Sequence, residues 1–172
     1  MRKLLAVLAL LLAGSGVVGQ SVWADSYLRV QDGATAGPRM TVTVFNDQGA
    51  ALTSGNVVVW DSADTDFSTT MYPYVILSTT VDDPWTAGVV LSGTIPDQQL
   101  GEIVIFGPAP TLCADSSDAI AVNTLVATSA TSGQCGDFAP GANLCSLGMA
   151  MQDTGGASNG EINNVFVDVT CQ

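Results

Sequence analysis

The sequence predicts an all-β protein, a single small β-barrel or β-sandwich built from two similar β-units after a cleaved N-terminal signal helix. Three observations lead to this prediction. Residues 1–24 run from basic to apolar to small side chains, and the rest of the chain consists of short Val-, Ile- and Thr-rich runs separated by Gly, Asn and Asp. In addition, no segment of that remainder sustains a 3.6-residue apolar period.

The leader has the order of a secretory signal peptide. A basic start, Met1-Arg2-Lys3, precedes an apolar run over residues 4–13, and small side chains flank the end at Val22-Trp23-Ala24. The run is shorter than the roughly 20 residues of a membrane span. We therefore expect cleavage after Ala24 and a single mature β-domain, residues 25–172, secreted to the extracellular space or the periplasm.

The mature chain is expected to be a succession of short strands joined by turns. Clusters of Gly, Asn, Asp, Ser and Pro predict turns at residues 46–49, 54–55, 107–108, 132–133 and 155–156. The best helical candidate is a single turn near Asp118. Alternating or apolar runs predict strands over residues 39–45, 56–60, 74–80, 86–91, 102–106, 124–129, 146–151 and 164–169.

An internal repeat divides the mature chain into units of about residues 40–107 and 108–169. At a spacing of 68 residues, Val44, Asp47, Leu52, Val57 and Val58 align with Leu112, Asp115, Ile120, Leu125 and Val126. Farther on the spacing is 60 for Gly88 with Gly148 and for Phe106 with Phe166, and 59 for Gly101-Glu102-Ile103 with Gly160-Glu161-Ile162. A doubled unit predicts pseudo-symmetry. The alternative is chance similarity between β-segments.

The charge of the mature chain excludes some partners. Cleavage leaves two basic residues, Arg29 and Arg39, against 16 acidic ones, a formal charge of −14. Nucleic acid and anionic membranes are therefore improbable partners, because phosphate binding needs a basic surface. The acidity indicates solubility through self-repulsion, with binding of a hard cation such as calcium as the alternative.

Four cysteines, Cys113, Cys135, Cys145 and Cys171, predict two disulfides in an exported chain. Zinc ligation is the alternative, but the chain has neither a CxxC pair nor a histidine. Of three possible connectivities, we favour Cys135–Cys145 with Cys113–Cys171. Cys135 and Cys145 lie in the variable loop segment of the second unit, and the first unit has aromatic residues in its corresponding segment. A disulfide there would take the place of aromatic packing.

The residue types argue against an enzyme. Without histidine no Ser-His-Asp or Cys-His relay is possible, and the mature chain has no lysine. Paired carboxylates are left, as in glycoside hydrolysis. Asp82-Asp83 lies beside Trp85, a common type of sugar platform, but adjacent residues on a strand point to opposite faces. A carboxylate hydrolase is thus the least favoured function.

Two binding sites are candidates. Asp61, Asp64 and Asp66 follow a predicted strand and offer three carboxylates to calcium, but a solvated turn is the favoured interpretation; we expect no cofactor, with calcium as the alternative. Tyr72, Tyr74 and Trp85, together with Trp60, are candidates for an exposed strip that binds a glycan or a protein. The hydrophobic core is the favoured interpretation for these aromatic residues, and the binding strip is the alternative.

The chain also resembles β-rich accessory domains of tailed-phage virions, namely head-decoration and capsid-fibre base domains. The similarity spans about residues 40–167, and its motifs are Gly, Val and Thr patterns: Asn56-Val57-Val58-Val59-Trp60-Asp61-Ser62, Asp82-Asp83-Pro84, Ala87-Gly88-Val89-Val90, residues 101–108, 118–122 and 128–133, and Leu147-Gly148-Met149-Ala150. Such families imply a non-enzymatic β-barrel that stabilises a larger assembly through lattice or trimer contacts, and they supply no catalytic residues.

Together these observations predict a secreted, non-enzymatic structural or assembly protein. Its expected partner is itself or another protein of a surface or particle assembly. A secreted module that binds a glycan or a surface partner is the alternative function.

Overall fold

A computed structural model of the chain describes residues 28–33, 37–63, 72–91, 93–113, 120–138, 145–152 and 161–171. Every regular element in these ranges is a β-strand, which confirms the all-β class. The predicted signal peptide and the helical turn near Asp118 lie outside these ranges. The strands are β1 (Leu28–Gly33), β2 (Gly37–Asn46), β3 (Leu52–Thr53), β4 (Val57–Trp60), β5 (Tyr74–Leu77), β6 (Thr86–Val90), β7 (Thr94–Ile95), β8 (Leu100–Cys113), β9 (Leu125–Thr128), β10 (Cys135–Asp137), β11 (Cys145–Ala150) and β12 (Glu161–Cys171).

All eight predicted strands have a counterpart among these elements, whereas β1, β3, β7 and β10 were not predicted. Two of the four are only two residues long, which is too short to show an alternating pattern. The third, β10, consists of Cys135-Gly136-Asp137, a loop-like composition.

The strands close into two hydrogen-bonded rings that share β8. The first ring runs β2-β5-β4-β6-β8 and closes through β2–β8, and the second runs β8-β10-β9-β11-β12 and closes through β8–β12. β1 pairs with β2 alone, and β3 with β7 forms a separate two-stranded sheet.

β8 serves both rings because its two halves have different partners. Leu100–Phe106 pairs with β2, and Phe106–Cys113 pairs with β12. The turn predicted at Gly107-Pro108 is therefore wrong. Gly107 has φ +100°, and a Cβ at this position would lie 2.6 Å from the Pro38 carbonyl oxygen. The strand continues through this position because residues on both sides of Gly107 pair with β12.

The two rings have the same strand order and the same strand directions. In each ring one pair is parallel, β2–β5 in the first and β8–β10 in the second, and the other described pairs are antiparallel. Val58 is opposite Gly88 in the first ring, and Val126 is opposite Gly148 in the second. On the last strand of each ring, however, the match differs from the predicted one. Gly88 packs on the carbonyl of Val104 and Gly148 on that of Phe166, so Val104 corresponds to Phe166, 62 residues away rather than 60.

Two hydrophobic cores lie on either side of a shared wall formed by β4, β6 and the first half of β8. Neighbouring residues on these strands point to opposite sides. Val58, Val90 and Ile103 therefore enter the first core, while Val57, Val89 and Val104 enter the second. Burial on both faces explains why these strands read as continuous apolar runs rather than as alternating ones.

Both disulfides connect neighbouring strands, and the favoured pairing is wrong. Cys113 bonds Cys135 with Cα atoms 4.3 Å apart, and Cys145 bonds Cys171 with Cα atoms 4.1 Å apart. In each case the two cysteines are register partners, in β8–β10 and β11–β12 respectively. The prediction failed because it paired the two cysteines that are closest along the chain, Cys135 and Cys145. The strand pairing instead places each of them opposite a cysteine of a neighbouring strand.

Candidate binding surfaces

The aromatic residues predicted as a binding strip come from three adjacent strands or their ends. The Trp60 N–H donates to the Trp85 carbonyl at 2.9 Å, and the Asp61 N–H donates to the Tyr74 carbonyl at 3.0 Å. The end of β4 is therefore flanked by Tyr74 on one side and by Trp85 on the other. The structure thus brings together the backbones of Trp60, Tyr74 and Trp85.

Their side chains have different environments. Trp85 is 55% exposed, whereas Tyr74 is 8% exposed and packs edge-on against Phe45 with ring centroids 4.9 Å apart. Trp60 packs partly buried against the first core, and Tyr72 is half-buried. Of this group Trp85 alone offers most of its surface to a ligand, while Tyr74 serves mainly in packing.

Asp82 and Asp83, the acidic pair beside Trp85, lie in a turn and not on a strand. The rule that adjacent strand residues point to opposite faces therefore does not apply to their carboxylates. The Asp82 N–H donates to the Thr128 carbonyl at 3.0 Å, and the Asp83 N–H donates to Thr128 Oγ1 at 2.6 Å. Asp83 Oδ1 accepts the Trp85 N–H at 2.8 Å. Asp82 is buried. These contacts hold the turn, and with it Trp85, against β9 of the second ring.

The predicted calcium ligands are described only in part. Asp61 Oδ1 accepts the Ala63 N–H at 2.9 Å, a local turn contact. Asp64 and Asp66 lie outside the described residues, so the calcium prediction stays a prediction. Among the described residues, no group of three or more Cys, Asp or Glu side chains is placed to hold a metal ion. Within the same ranges we find no helix with the length and hydropathy needed to cross a bilayer.

A second surface, which the sequence did not predict, lies on the outer face of β9, β11 and β12. Leu125, Met149 and Met151 are 45%, 42% and 49% exposed, and Phe166 is half-buried between the strands. We call these four residues the outer apolar face. Phe106 of β8 extends it, with its ring centroid 5.2 Å from that of Phe166.

The outer apolar face contains a shallow groove of about 290 Å³. Most of the lining is apolar or weakly polar, and one acidic residue, Asp168, lies among it. The groove is lined by Leu125, Ser146, Gly148, Met149, Phe166, Asp168 and Thr170. The arrangement offers hydrophobic contact area and no constellation of reactive groups.

One sequence signal points to this surface. In Leu147-Gly148-Met149-Ala150-Met151 both alternating sets are apolar, a pattern that the shared wall also shows and that is typical of strands covered on both faces. Leu147 and Ala150 nevertheless both fill the second core, while Met149 and Met151 are exposed, because the register of the β11–β12 pair shifts between Ser146 and Gly148 and breaks the alternation. The pattern therefore predicts a strand with two apolar faces, but not which of its residues are covered.

Comparisons with known proteins give a structural match and no family. No protein-family model matches the chain, and no curated protein matches it. Among solved structures, the chain is similar to the N base of the head fibre gp8.5 in bacteriophage phi29, at 10% sequence identity and a TM-score of 0.47, over 75% of this chain and 95% of that chain. A head-fibre base is one of the two kinds of phage domain that the sequence motifs resemble.

Proposed function

We propose that the mature chain is an exported, non-enzymatic structural protein that joins an extracellular or particle assembly. The observation that carries this proposal is the outer apolar face. Leu125, Met149 and Met151 stand exposed together on one sheet surface of a chain that is otherwise strongly acidic. Exposed apolar patches on soluble proteins mark sites of interaction with other molecules.

Export is supported by the cysteines and by the leader. All four cysteines form disulfides, which persist in oxidising compartments and are rare in the cytosol. The basic and apolar leader supplies an export signal, and removal of residues 1–24 would leave both disulfides intact.

A structural role is supported by the way the acidic residues near Trp85 are used. Asp83 accepts a backbone N–H in its own turn, and the N–H groups of Asp82 and Asp83 anchor that turn to Thr128. These contacts make the pair part of the scaffold. The chain offers neither histidine nor, after cleavage, lysine as a general acid or base.

We further propose that the mature chain is one domain made of two like units, each of which contributes one ring. Support comes from the strand order, which is the same in both rings, and from the parallel pair, which each ring has at the same place. A similar turn also precedes β4 and β9. The Asn56 N–H donates to the Thr53 carbonyl before β4, as the Thr124 N–H donates to the Ala121 carbonyl before β9. The two units could still not separate freely, because β8 belongs to both rings.

The proposed function is tested by locating the protein in the cells that produce it. Mass spectrometry of the protein from the medium and the cell surface should give an N-terminus at Asp25. Density-gradient centrifugation of the same fractions should place it with a large particle or a surface structure. An uncleaved protein in the cytosol, or a mature protein that never sediments with any larger structure, would contradict the proposal.

A binding module for a glycan is the second candidate function, and one observation favours it. Trp85 is 55% exposed, and its turn is held by Asp83 and Thr128, so the indole lies on a rigid support. Titration of tryptophan fluorescence with a panel of glycans separates the candidates. A saturable shift that Trp85→Ala abolishes would favour the binding module, and no shift with any glycan would exclude it for that panel.

A further inference from the structure

We infer that the Asp83–Pro84 peptide bond is a self-cleavage site, at which the Asp83 carboxyl attacks its own carbonyl carbon and divides the chain in two. The reaction occurs once in each molecule and acts on no second substrate. It therefore goes beyond the proposed structural role and does not depend on it.

The residue types on either side of this bond suit such a reaction. Asp83–Pro84 is the one Asp–Pro bond in the sequence. The Asp83 carboxyl is a nucleophile that is covalently fixed beside the carbonyl that it attacks, so its effective concentration is high. The leaving nitrogen belongs to proline, which has no N–H and thus no backbone hydrogen bond to give up. Pro84 is exposed, so water reaches the bond.

Two donors from a single residue polarise the carbonyl of this bond. The Thr86 N–H donates to the Asp83 carbonyl oxygen at 3.2 Å, and the Thr86 hydroxyl donates to the same oxygen at 2.7 Å. Thr86 is 3% exposed, and shielding from water strengthens both hydrogen bonds. When the carboxyl attacks, negative charge develops on this oxygen. The two donors then serve as an oxyanion hole.

The Asp83 carboxyl is turned toward the bond that breaks. Its Oδ1 accepts the Trp85 N–H at 2.8 Å, and Trp85 lies on the far side of that bond. A side chain that reaches forward to this N–H lies on the side of its own carbonyl group. With Oδ1 held in this way, Oδ2 is the oxygen that attacks.

Contacts on both sides of the bond hold the turn in place. The N–H groups of Asp82 and Asp83 donate to Thr128 at 3.0 and 2.6 Å, and the Trp60 N–H donates to the Trp85 carbonyl at 2.9 Å. Within this turn Asp82 has a left-handed φ of +53°, which residues other than glycine seldom adopt. Such strain persists where the surrounding contacts impose it, and cleavage at the next peptide bond releases it.

The reaction balances without an oxidant, a reductant or a cofactor. Asp83 Oδ2 bonds to the Asp83 carbonyl carbon, and the carboxyl proton passes to the Pro84 nitrogen. The carbon–nitrogen bond breaks, which leaves Asp83 as a cyclic anhydride and Pro84 as a free secondary amine. Water then opens the anhydride to two carboxyl groups, so the sum of the steps is hydrolysis of the peptide bond.

Cleavage gives a nicked protein whose two fragments stay together. All four cysteines follow Pro84, so no disulfide joins residues 25–83 to residues 84–172. The fragments are instead held by strand pairing, of β4 with β6 and of β2 with β8. The nick therefore becomes visible when the protein is unfolded, even if the disulfides are left intact.

The test is incubation of the purified, disulfide-bonded exported protein in mildly acidic buffer with protease inhibitors. Denaturing electrophoresis without reduction should show two fragments, and mass spectrometry should place their new ends at Asp83 and Pro84. In the same buffer with enough urea to unfold the protein, cleavage should be at least about tenfold slower, because unfolding removes the two Thr86 donors. Hydroxylamine should trap the anhydride as a hydroxamate at Asp83.

Variants separate the roles of the groups. Asp83→Asn should abolish hydroxamate formation, because the amide can still accept the Trp85 N–H but is not a carboxyl. Thr86→Val should slow cleavage at least about tenfold, since it removes one oxyanion donor at nearly constant shape, and Thr86→Ser should restore the rate. Asp97→Asn is the matched control, because Asp97 is also an exposed aspartate whose Oδ1 accepts a backbone N–H, at 2.9 Å. It should leave the rate unchanged.

Three outcomes would overturn the inference. These are cleavage that is no faster in the folded protein than in urea, an unchanged rate in Thr86→Val, and fragments that carry no hydroxamate in the presence of hydroxylamine. Circular dichroism verifies that each variant is folded. If Thr86→Val is not, Pro84→Ala replaces it, and a natural rate of cleavage in that variant would count equally against the inference. Each of these outcomes leaves the proposed function standing, because export and association do not require the nick.

Discussion

Val57 and Leu125 hold the same position in the two rings, yet Val57 is completely buried and Leu125 is 45% exposed. Both begin the middle strand of their ring, and both precede a valine that fills that ring's own core, Val58 and Val126. The difference arises outside the ring. The second ring covers Val57, and no described part of the chain covers Leu125.

Within the part of the chain that the structure describes, the first ring has a covered outer wall, and the second has an uncovered one of equal register. The larger side chains on the uncovered wall expose more apolar area than the valines that they match.

We expect Gly88→Ala and Gly148→Ala to destabilise the protein by similar amounts, each more than about 2 kcal/mol. An added Cβ would lie 2.2 Å from the Val104 carbonyl oxygen in the first case and 2.1 Å from the Phe166 carbonyl oxygen in the second. Both contacted atoms belong to the backbone, so no side-chain movement relieves the clash, and both glycines have φ +155°. Urea denaturation measures the change.

Gly49→Ala is the control for these two substitutions. Gly49 also has a positive φ, +75°, but its added Cβ would meet nothing within 4 Å. It should cost about 1 kcal/mol, the penalty of a left-handed conformation alone. Equal losses at Gly49 and Gly88 would show that the close approach between β6 and β8 is not tight.

Removing either disulfide should cost about 3 kcal/mol, because the closed loops are similar in length, with sequence separations of 22 and 26. The Cys113→Ala/Cys135→Ala variant should lose more stability than Cys145→Ala/Cys171→Ala. Cys113 and Cys135 are buried in the second core, whereas Cys171 is exposed. The midpoints of urea denaturation rank the two variants.

The connectivity itself is checked by cleavage at aspartate under non-reducing conditions. Trypsin is of little use, since residues 25–172 contain two arginines and no lysine, but aspartates lie between all successive cysteines. Peptides that link Cys113 to Cys135 and Cys145 to Cys171 are expected. A peptide that links Cys135 to Cys145 would contradict the strand pairing.

The two cores should unfold together. Ile103→Ala in the first core and Leu147→Ala in the second should each cost about 2–5 kcal/mol, because both side chains are completely buried. Since β4, β6 and β8 line both cores, loss of either core exposes the shared wall. Calorimetry should give a single transition with equal calorimetric and van't Hoff enthalpies. Two separate transitions in either variant would show that the rings are independent.

Trp60 and Trp85 should differ in accessibility. In Trp60→Phe, the fluorescence of the remaining Trp85 should be strongly quenched by acrylamide, because that side chain is 55% exposed. In Trp85→Phe, the remaining Trp60 should be quenched less, since it packs against the first core. Trp85→Ala should change the free energy of unfolding by less than about 0.5 kcal/mol. Equal quenching of the two would contradict the placement of Trp60.

The strands were more predictable than their arrangement. Runs such as Val57-Val58-Val59-Trp60 and Thr86-Ala87-Gly88-Val89-Val90 carry a local apolar pattern, which is legible in one sequence. By contrast, the continuation of β8 through Gly107 depends on β12, more than 50 residues away. A local turn signal was overridden there by a partner strand that the sequence cannot place.

The candidate sites show the same division. Trp85 and Tyr74 were grouped by composition, but the contact with Phe45 buries Tyr74 while the turn at Asp83 leaves Trp85 exposed. The outer apolar face was missed because exposure depends on what lies over a strand. Leu125 and Val57 are equally apolar in the sequence, and their difference lies in the neighbouring ring.

By itself the sequence determined the all-β class, the number of cysteines available for disulfides, the acidity and most of the strands, because these depend on residue type and local period. Only the tertiary structure decided which cysteines pair, that β8 belongs to both rings, and which apolar residues are exposed. These properties depend on contacts between residues far apart along the chain. A strand's own sequence states which of its faces is apolar, but only the strands packed on it decide whether that face is buried.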